Sequence, residues 1–125
     1  MIKHALSIVM LLFLLACTAP PERNCTDFKT GNFSFTTSVN GREMQTTFTR
    51  TATIEVDDFE EKKDTSSIRW INDCEYILKN INPKSMAEEK SIHIKILTTS
   101  DSSYTFEYNA IGDKRKFKGT AFKIN

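Results

Sequence analysis

The sequence is poor in the residues that most active sites and metal centres require. Its 125 residues include two histidines, three cysteines and four scattered glycines. It has no glycine-rich phosphate-binding loop and no Asp-x-Asp-x-Asp-Gly calcium loop. A structural zinc site needs four Cys or His ligands, which this chain does not bring together at a suitable spacing. These shortages argue against an enzyme, and we expect neither a metal nor another cofactor.

The one long apolar run lies at the N-terminus and is too short to span a membrane. It covers about a dozen residues, Ala5 to Ala16, whereas a transmembrane helix needs roughly 20. With Lys3 before it, the run is typical of a secretory signal peptide. Leu14-Leu15-Ala16-Cys17 resembles the lipobox of bacterial lipoproteins, in which the signal is cut before a cysteine that carries diacylglycerol. An ordinary cleaved signal and an uncleaved anchor are the alternatives.

The lipobox resemblance implies a location and an organisation for the chain. The expected regions are a signal peptide at 1–16, a lipidated tether at 17–24 and a β domain at 25–125. Acylation would anchor Cys17 to the membrane, since two or more acyl chains hold a protein stably. Thr18 is not the Asp of the inner-membrane retention signal, which favours the periplasmic face of the outer membrane.

The charge balance excludes one class of partner. Removal of the signal takes one basic residue, Lys3, from a chain whose formal charge is +1. The mature chain is therefore formally neutral. Nucleic-acid binding depends on a basic surface, so we expect no nucleic-acid partner.

Alternation with a period of two dominates the rest of the chain and predicts β-strands. Apolar residues between 33 and 39 fall on odd positions, and Asn40-Gly41 is a strong hairpin signal. Further alternating stretches are Met44–Phe48, Ala52–Val56, Ile68–Ile71, Cys74–Leu78, Ile92–Ile96, Tyr104–Tyr108 and Phe117–Ile124. In the last of these stretches the apolar residues move from the odd position of Phe117 to the even positions of Phe122 and Ile124. Gly119 lies between Phe117 and Phe122 and is a suitable site for the β-bulge that such a shift requires.

About eight short strands with tight connections predict a single antiparallel all-β domain. Each strand has one apolar face, so the sheet must close or fold onto itself to bury that face. We expect an eight-strand barrel, with a two-sheet sandwich as the alternative. The segment NPKSMAEEK at 82–90 predicts one short helical turn near 83–89.

Several short motifs lie between residues 24 and 76. They are Asn24-Cys25, Phe28-Lys29-Thr30-Gly31-Asn32-Phe33, Thr49-Arg50, Ile68-Arg69-Trp70-Ile71 and Asp73-Cys74-Glu75-Tyr76. Together they resemble a family of short bacterial envelope lipoproteins with a lipocalin-like look. That family has no established activity, so the resemblance implies no catalytic residues. Some members carry the label DNA topoisomerase IV, which we reject because such an enzyme needs a large basic surface and a cytoplasmic location.

The three cysteines are an odd number, so one of them has no partner within a monomer. Acylation of Cys17 leaves Cys25 and Cys74 as an even pair in an oxidising compartment. We expect these two to form a disulfide that pins the entering chain against the sheet. Two buried free thiols are the alternative.

Most polar candidates suggest a surface rather than a reactive site. His93 alternates with isoleucines, so we expect it to face solvent. The acidic stretch 57–64 predicts a solvated loop or hairpin tip. Arg50 is expected to be a surface charge beside a turn.

The aromatic residues that could line a cavity are Trp70, Tyr76, Tyr104, Phe106 and Tyr108. In a narrow barrel we expect them to fill the core rather than surround a ligand. We therefore favour a non-enzymatic, lipid-anchored envelope protein that docks on another envelope protein through a strand edge or the 57–64 loop. The alternative is a lipocalin-like barrel that binds a small apolar molecule. A cavity of about 300 Å³ lined by these aromatics would favour the alternative.

Overall fold

A computed structural model describes residues 22–125, which form a closed barrel of eight antiparallel strands. Each strand pairs with the next, and the last pairs with the first. The strands are β1 Gly31–Val39, β2 Arg42–Arg50, β3 Ile54–Phe59, β4 Lys62–Asn72, β5 Glu75–Asn80, β6 Ile92–Thr99, β7 Ser103–Ala110 and β8 Phe117–Lys123. The predicted eight-strand barrel is therefore confirmed. The predicted signal peptide and Cys17 lie outside the described residues.

Successive connections between strands lie at alternate ends of the barrel, which we call the lower end and the upper end. The lower end carries the short connections 51–53, 73–74 and 100–102. The upper end carries the hairpin tips 40–41 and 60–61 and the longer connections 81–91 and 111–116. The described residues include no helix long and apolar enough to cross a membrane.

A 3₁₀ turn at Cys25–Phe28 covers the lower end of the barrel. Phe28 is 1% exposed, and its ring centroid lies 5.2 Å from that of Tyr104. The predicted disulfide is confirmed: Cys25 is bonded to Cys74 in the β4–β5 turn, with 5.2 Å between the two Cα atoms. The 3₁₀ turn is thus fixed to the sheet covalently as well as by packing.

The predicted inward faces are correct on most strands. Buried apolar side chains include Phe33, Phe48, Ile68, Tyr76, Ile94, Ile96, Tyr104 and Phe106. On β3 the prediction is wrong: Ile54 is 37% exposed, whereas Glu55 is buried. The register explains this, because Arg50 faces inward on β2 and is paired directly with Glu55. The side chains of β3 that point into the barrel are therefore the acidic ones.

The predicted shift of parity on β8 is also wrong. Pairing with β7 runs without a register shift, and Phe122 and Ile124 are 54% and 58% exposed. Ala121 is buried instead. Gly119 is not a bulge but a contact point, since a Cβ there would lie 2.7 Å from the Phe106 ring. The missing side chain leaves the space that this ring occupies.

The segment predicted as a short helical turn near 83–89 forms no regular helix. It contains hydrogen-bonded turns, in which the Glu89 N–H donates to the Ser85 carbonyl at 3.2 Å. No helix extends from this bond, because the segment is short and its residues are mostly exposed, so little burial offsets the cost of nucleating a helix.

Removal of the disulfide should destabilise the domain without changing its topology. The bond closes a loop spanning a sequence separation of 49. We expect Cys25→Ser/Cys74→Ser to lower the free energy of unfolding by about 4 kcal/mol, from chain entropy. Urea unfolding followed by circular dichroism measures this. Reduced wild-type protein should match the variant, and equal urea midpoints for oxidised and reduced wild type would contradict the expectation.

Candidate functional site

A cavity of about 290 Å³ runs along the barrel interior. It extends from Arg50 and Tyr104 near the lower end to Thr37 and Tyr108 near the upper end. Its apolar wall includes Phe35, Phe48, Leu78, Ile92, Ile94 and Phe106. This volume lies at the lower limit of pockets that hold small ligands, which begin at about 300 Å³.

Four of the five aromatics singled out in the sequence line this cavity: Tyr76, Tyr104, Phe106 and Tyr108. Trp70 does not. Its ring packs on Tyr76 at a centroid distance of 4.6 Å, and Lys29 Nζ lies 5.1 Å from its centroid. Tyr76, Tyr104 and Phe106 thus belong to the buried core, as expected of core-filling aromatics, but they leave part of the interior open. Glu55 and Asp57 stand on the inner face of β3 where branched apolar side chains were expected, and the volume beside them remains open.

Arg50 forms the polar floor of the cavity, and the prediction of a surface charge is wrong. Its side chain is fully buried. Nε and Nη2 donate to Glu55 Oε1 at 3.0 and 2.8 Å, and Nη1 donates to the Phe28 carbonyl at 2.7 Å. Nη2 also donates to the hydroxyls of Tyr76 and Tyr104, at 2.7 and 3.0 Å. The residue lies inward because the parity that buries Thr46 and Phe48 continues to Arg50.

Aromatic rings surround the buried guanidinium. Distances from Arg50 Cζ to the ring centroids are 4.6 Å for Tyr76, 5.0 Å for Phe33, 5.3 Å for Phe48, 5.8 Å for Trp70 and 5.9 Å for Tyr104. Each ring face attracts a cation. Burial by itself lowers the pKa of Arg50, but Tyr76, Tyr104 and Glu55 raise that pKa above its usual value. The guanidinium therefore stays charged.

The two floor tyrosines are neutral phenols. Burial raises the pKa of Tyr76 and of Tyr104 above the usual value. Their hydroxyl oxygens lie 3.4 Å apart, and both accept from Arg50. Since one hydroxyl donates to the other, one O–H is left to donate elsewhere.

Asp57 lines the cavity two residues along β3 from Glu55. The predicted solvated tip is confined to Glu60-Glu61, where both residues have positive φ, while β3 and β4 take up the rest of 57–64. Burial, and then the nearby Glu55, raise the pKa of Asp57 from 3.8 to about 7. A hydrogen bond between the Asp57 and Glu55 side chains also favours the protonated form of Asp57. The cavity therefore contains a carboxyl group that titrates near neutral pH.

A second cavity of about 300 Å³ adjoins the first between β1 and β8. These strands pair only from Phe33↔Lys123 to Phe35↔Ala121, so their upper halves are not hydrogen-bonded to each other. Phe35, Thr37, Phe106 and Tyr108 line both cavities. The closed barrel thus has a gap in its wall beside the main cavity.

His93 lies on the outer face of β6, as its alternation with isoleucines predicts. Its Nε2 is 3.0 Å from Glu75 Oε2 on the neighbouring strand. Residues 22–125 contain no cluster of three or more His, Cys, Asp or Glu side chains placed to hold a metal ion.

No family model matches this chain, and no curated protein or solved structure matches it significantly. The cavity must therefore be interpreted from its own geometry.

Loss of Arg50 should be costly because it leaves Glu55 buried without a partner. We expect Arg50→Met to lower the free energy of unfolding by about 3–5 kcal/mol. Adding Glu55→Gln should recover part of this loss, so that the double variant is less destabilised than the two single effects combined. Urea unfolding of the four proteins measures the coupling.

Arg42→Met provides the matched control. Arg42 is exposed at the other end of the same strand, so its replacement should change the stability by about 0.5 kcal/mol or less. Purely additive effects of Arg50→Met and Glu55→Gln would show that the pair does not stabilise the fold as a unit.

Proposed function

We propose that this protein binds a small, largely apolar molecule inside the barrel and has no enzymatic role. The observation that carries the proposal is the cavity of about 290 Å³ lined by Tyr76, Tyr104, Phe106 and Tyr108. An apolar wall with a few converging polar groups is the usual composition of a ligand site. A docking module needs no interior volume, and unfilled apolar space costs stability. This favours ligand binding over the docking hypothesis.

The gap between β1 and β8 supports this proposal by offering access. The lower end is covered by Phe28 and the disulfide, so a ligand must arrive from the upper end or through the wall. The unpaired upper halves of β1 and β8 lie beside the cavity. Separating them further breaks no hydrogen bond between these two strands.

We further propose that the protein acts in the bacterial cell envelope, attached to the membrane through Cys17. The lipobox resemblance supports the anchor, and the Cys25–Cys74 disulfide supports an oxidising compartment. The periplasmic face of the outer membrane remains the proposed location. Docking on an envelope protein remains the alternative function.

Filling the cavity should abolish binding of an apolar probe. N-phenyl-1-naphthylamine is a small neutral dye whose fluorescence rises in apolar surroundings. We expect saturable binding to the wild type and at least about tenfold weaker binding to Leu78→Trp, since Leu78 lines the cavity.

Ile77→Trp adds the same ring to the neighbouring position on the outer face of the strand and should bind like the wild type. Dye titrations of the three proteins, each checked for cooperative unfolding, measure the effect. Equal binding by Leu78→Trp and Ile77→Trp would place the dye elsewhere, and no binding by the wild type would favour docking.

The anchor has a separate test in cells. Radiolabelled palmitate should enter the wild-type protein, whereas Cys17→Ala should carry no label, because no cysteine would then stand directly after the apolar run. Gel fluorography of the immunoprecipitated proteins measures this. Cys74→Ser serves as the control for loss of a cysteine, and label persisting in Cys17→Ala would refute lipidation at that residue.

A further inference from the structure

We propose that the ligand carries a positively charged amine, which the carboxylates of Asp57 and Glu55 hold at the polar floor of the cavity. This inference rests on the proposed binding function and names its ligand class. The inference follows from a comparison of the charged groups at the floor that are already paired with the charged group that still faces the cavity.

The floor offers no free cation to an anionic ligand. Arg50 is the only basic side chain that lines the described cavity, and its Nε, Nη1 and Nη2 all donate to protein acceptors. Its side chain is fully buried. A carboxylate or phosphate head group would have to compete with these acceptors for a guanidinium whose charge Glu55 already compensates.

The floor does offer unsatisfied negative charge. Arg50 and Glu55 compensate each other through Oε1 of Glu55, which accepts both Arg50 bonds. Asp57 is a second carboxylate beside this pair, close enough to Glu55 to share a hydrogen bond when protonated. With Asp57 ionised, the lining of the cavity bears a net negative charge. An ammonium group compensates that charge, whereas a neutral alcohol would leave it unpaired.

The wall of the cavity suits the rest of such a molecule. Phe48 is paired directly with Asp57, and Phe106 lines the same cavity, so their rings can pack against the ligand's chain next to the nitrogen. Ring faces also attract the partial positive charge carried by the methylenes of that chain. Leu78 and Ile94 supply purely apolar contacts for the tail.

Binding should therefore release a proton at neutral pH. The charged or titratable groups that act on Asp57 or line the same cavity are Arg50 on β2, Glu55 on β3, Asp64 on β4, Tyr76 on β5, and Tyr104 and Tyr108 on β7. Burial and the two carboxylates outweigh Arg50 and raise the pKa of Asp57 to about 7. Below that pH an arriving ammonium must displace the carboxyl proton to solvent. Amine affinity should accordingly fall as the pH is lowered.

Three probes with one chain and different head groups test the inference: octylamine, octan-1-ol and octanoate. Calorimetric titration of the wild type at pH 8 should show octylamine binding at least about tenfold more tightly than octan-1-ol, as one charge-assisted hydrogen bond predicts. Octanoate should bind most weakly. Between pH 8 and pH 6 the octylamine affinity should fall about tenfold, while octan-1-ol affinity stays constant.

Asp57→Asn should reduce the preference for octylamine over octan-1-ol to about threefold or less. Asp58→Asn removes the same charge from the outward-facing neighbour on β3 and should keep the wild-type preference. Both variants are compared by thermal unfolding. The wild-type pH series tests the inference even if a variant fails to fold.

The outcomes separate this inference from the function on which it rests. Octan-1-ol binding as tightly as octylamine to the wild type would overturn the amine inference and leave the binding function intact. An unchanged amine preference in Asp57→Asn, or a constant octylamine affinity from pH 8 to pH 6, would also overturn it. If none of the three probes binds, the proposed binding function itself fails.

Discussion

The buried guanidinium of Arg50 is the interaction on which the lower half of this barrel depends. It bonds to Phe28 in the 3₁₀ turn, to Glu55 on β3, and to the hydroxyls of Tyr76 and Tyr104. A buried charge is expensive unless it is paired and its hydrogen bonds are satisfied. Because its partners lie on separate elements, those elements must be in place together for the charge to be tolerated. The charge therefore specifies how the 3₁₀ turn, β3, β5 and β7 are arranged.

The same constraint explains why the interior has both a closed end and a cavity. The disulfide holds Cys25 at the β4–β5 turn, while Arg50 holds the Phe28 carbonyl from inside, so the 3₁₀ turn is fixed at two points. Arg50 requires Glu55 opposite it, and the period of two then directs Asp57 inward as well. Short acidic side chains replace bulky apolar ones on that wall. The electrostatic requirement at the floor thus sets both the volume and the charge of the space above it.

Much of the fold could be predicted from the sequence, because period-two alternation is strong on β2, β6 and β7. The number of strands and the barrel were predicted from alternation and turn signals, with a two-sheet sandwich as the alternative. The Cys25–Cys74 bond was predicted on the premise that Cys17 is acylated. The site was less predictable. Hydrophobicity assigned Ile54 to the interior of β3, but that strand is oriented by the Arg50–Glu55 pair, which hydropathy does not register. The parity of Thr46 and Phe48 already pointed Arg50 inward, and a buried arginine requires an acidic partner.

The position of Trp70 shows a second limit of predicting where a side chain lies from the alternation along a single strand. Its inward parity was predicted correctly, but parity alone does not decide whether an inward side chain lines the cavity or packs against its floor. The Trp70 ring packs on Tyr76, its centroid lies 5.8 Å from Arg50 Cζ, and it does not line the open volume. Depth along the barrel depends on the stagger between strands, and that stagger follows from pairings such as Arg50↔Glu55 and Trp70↔Tyr76. In a barrel this small, neighbouring inward side chains therefore divide between those that line the cavity and those that pack against its floor.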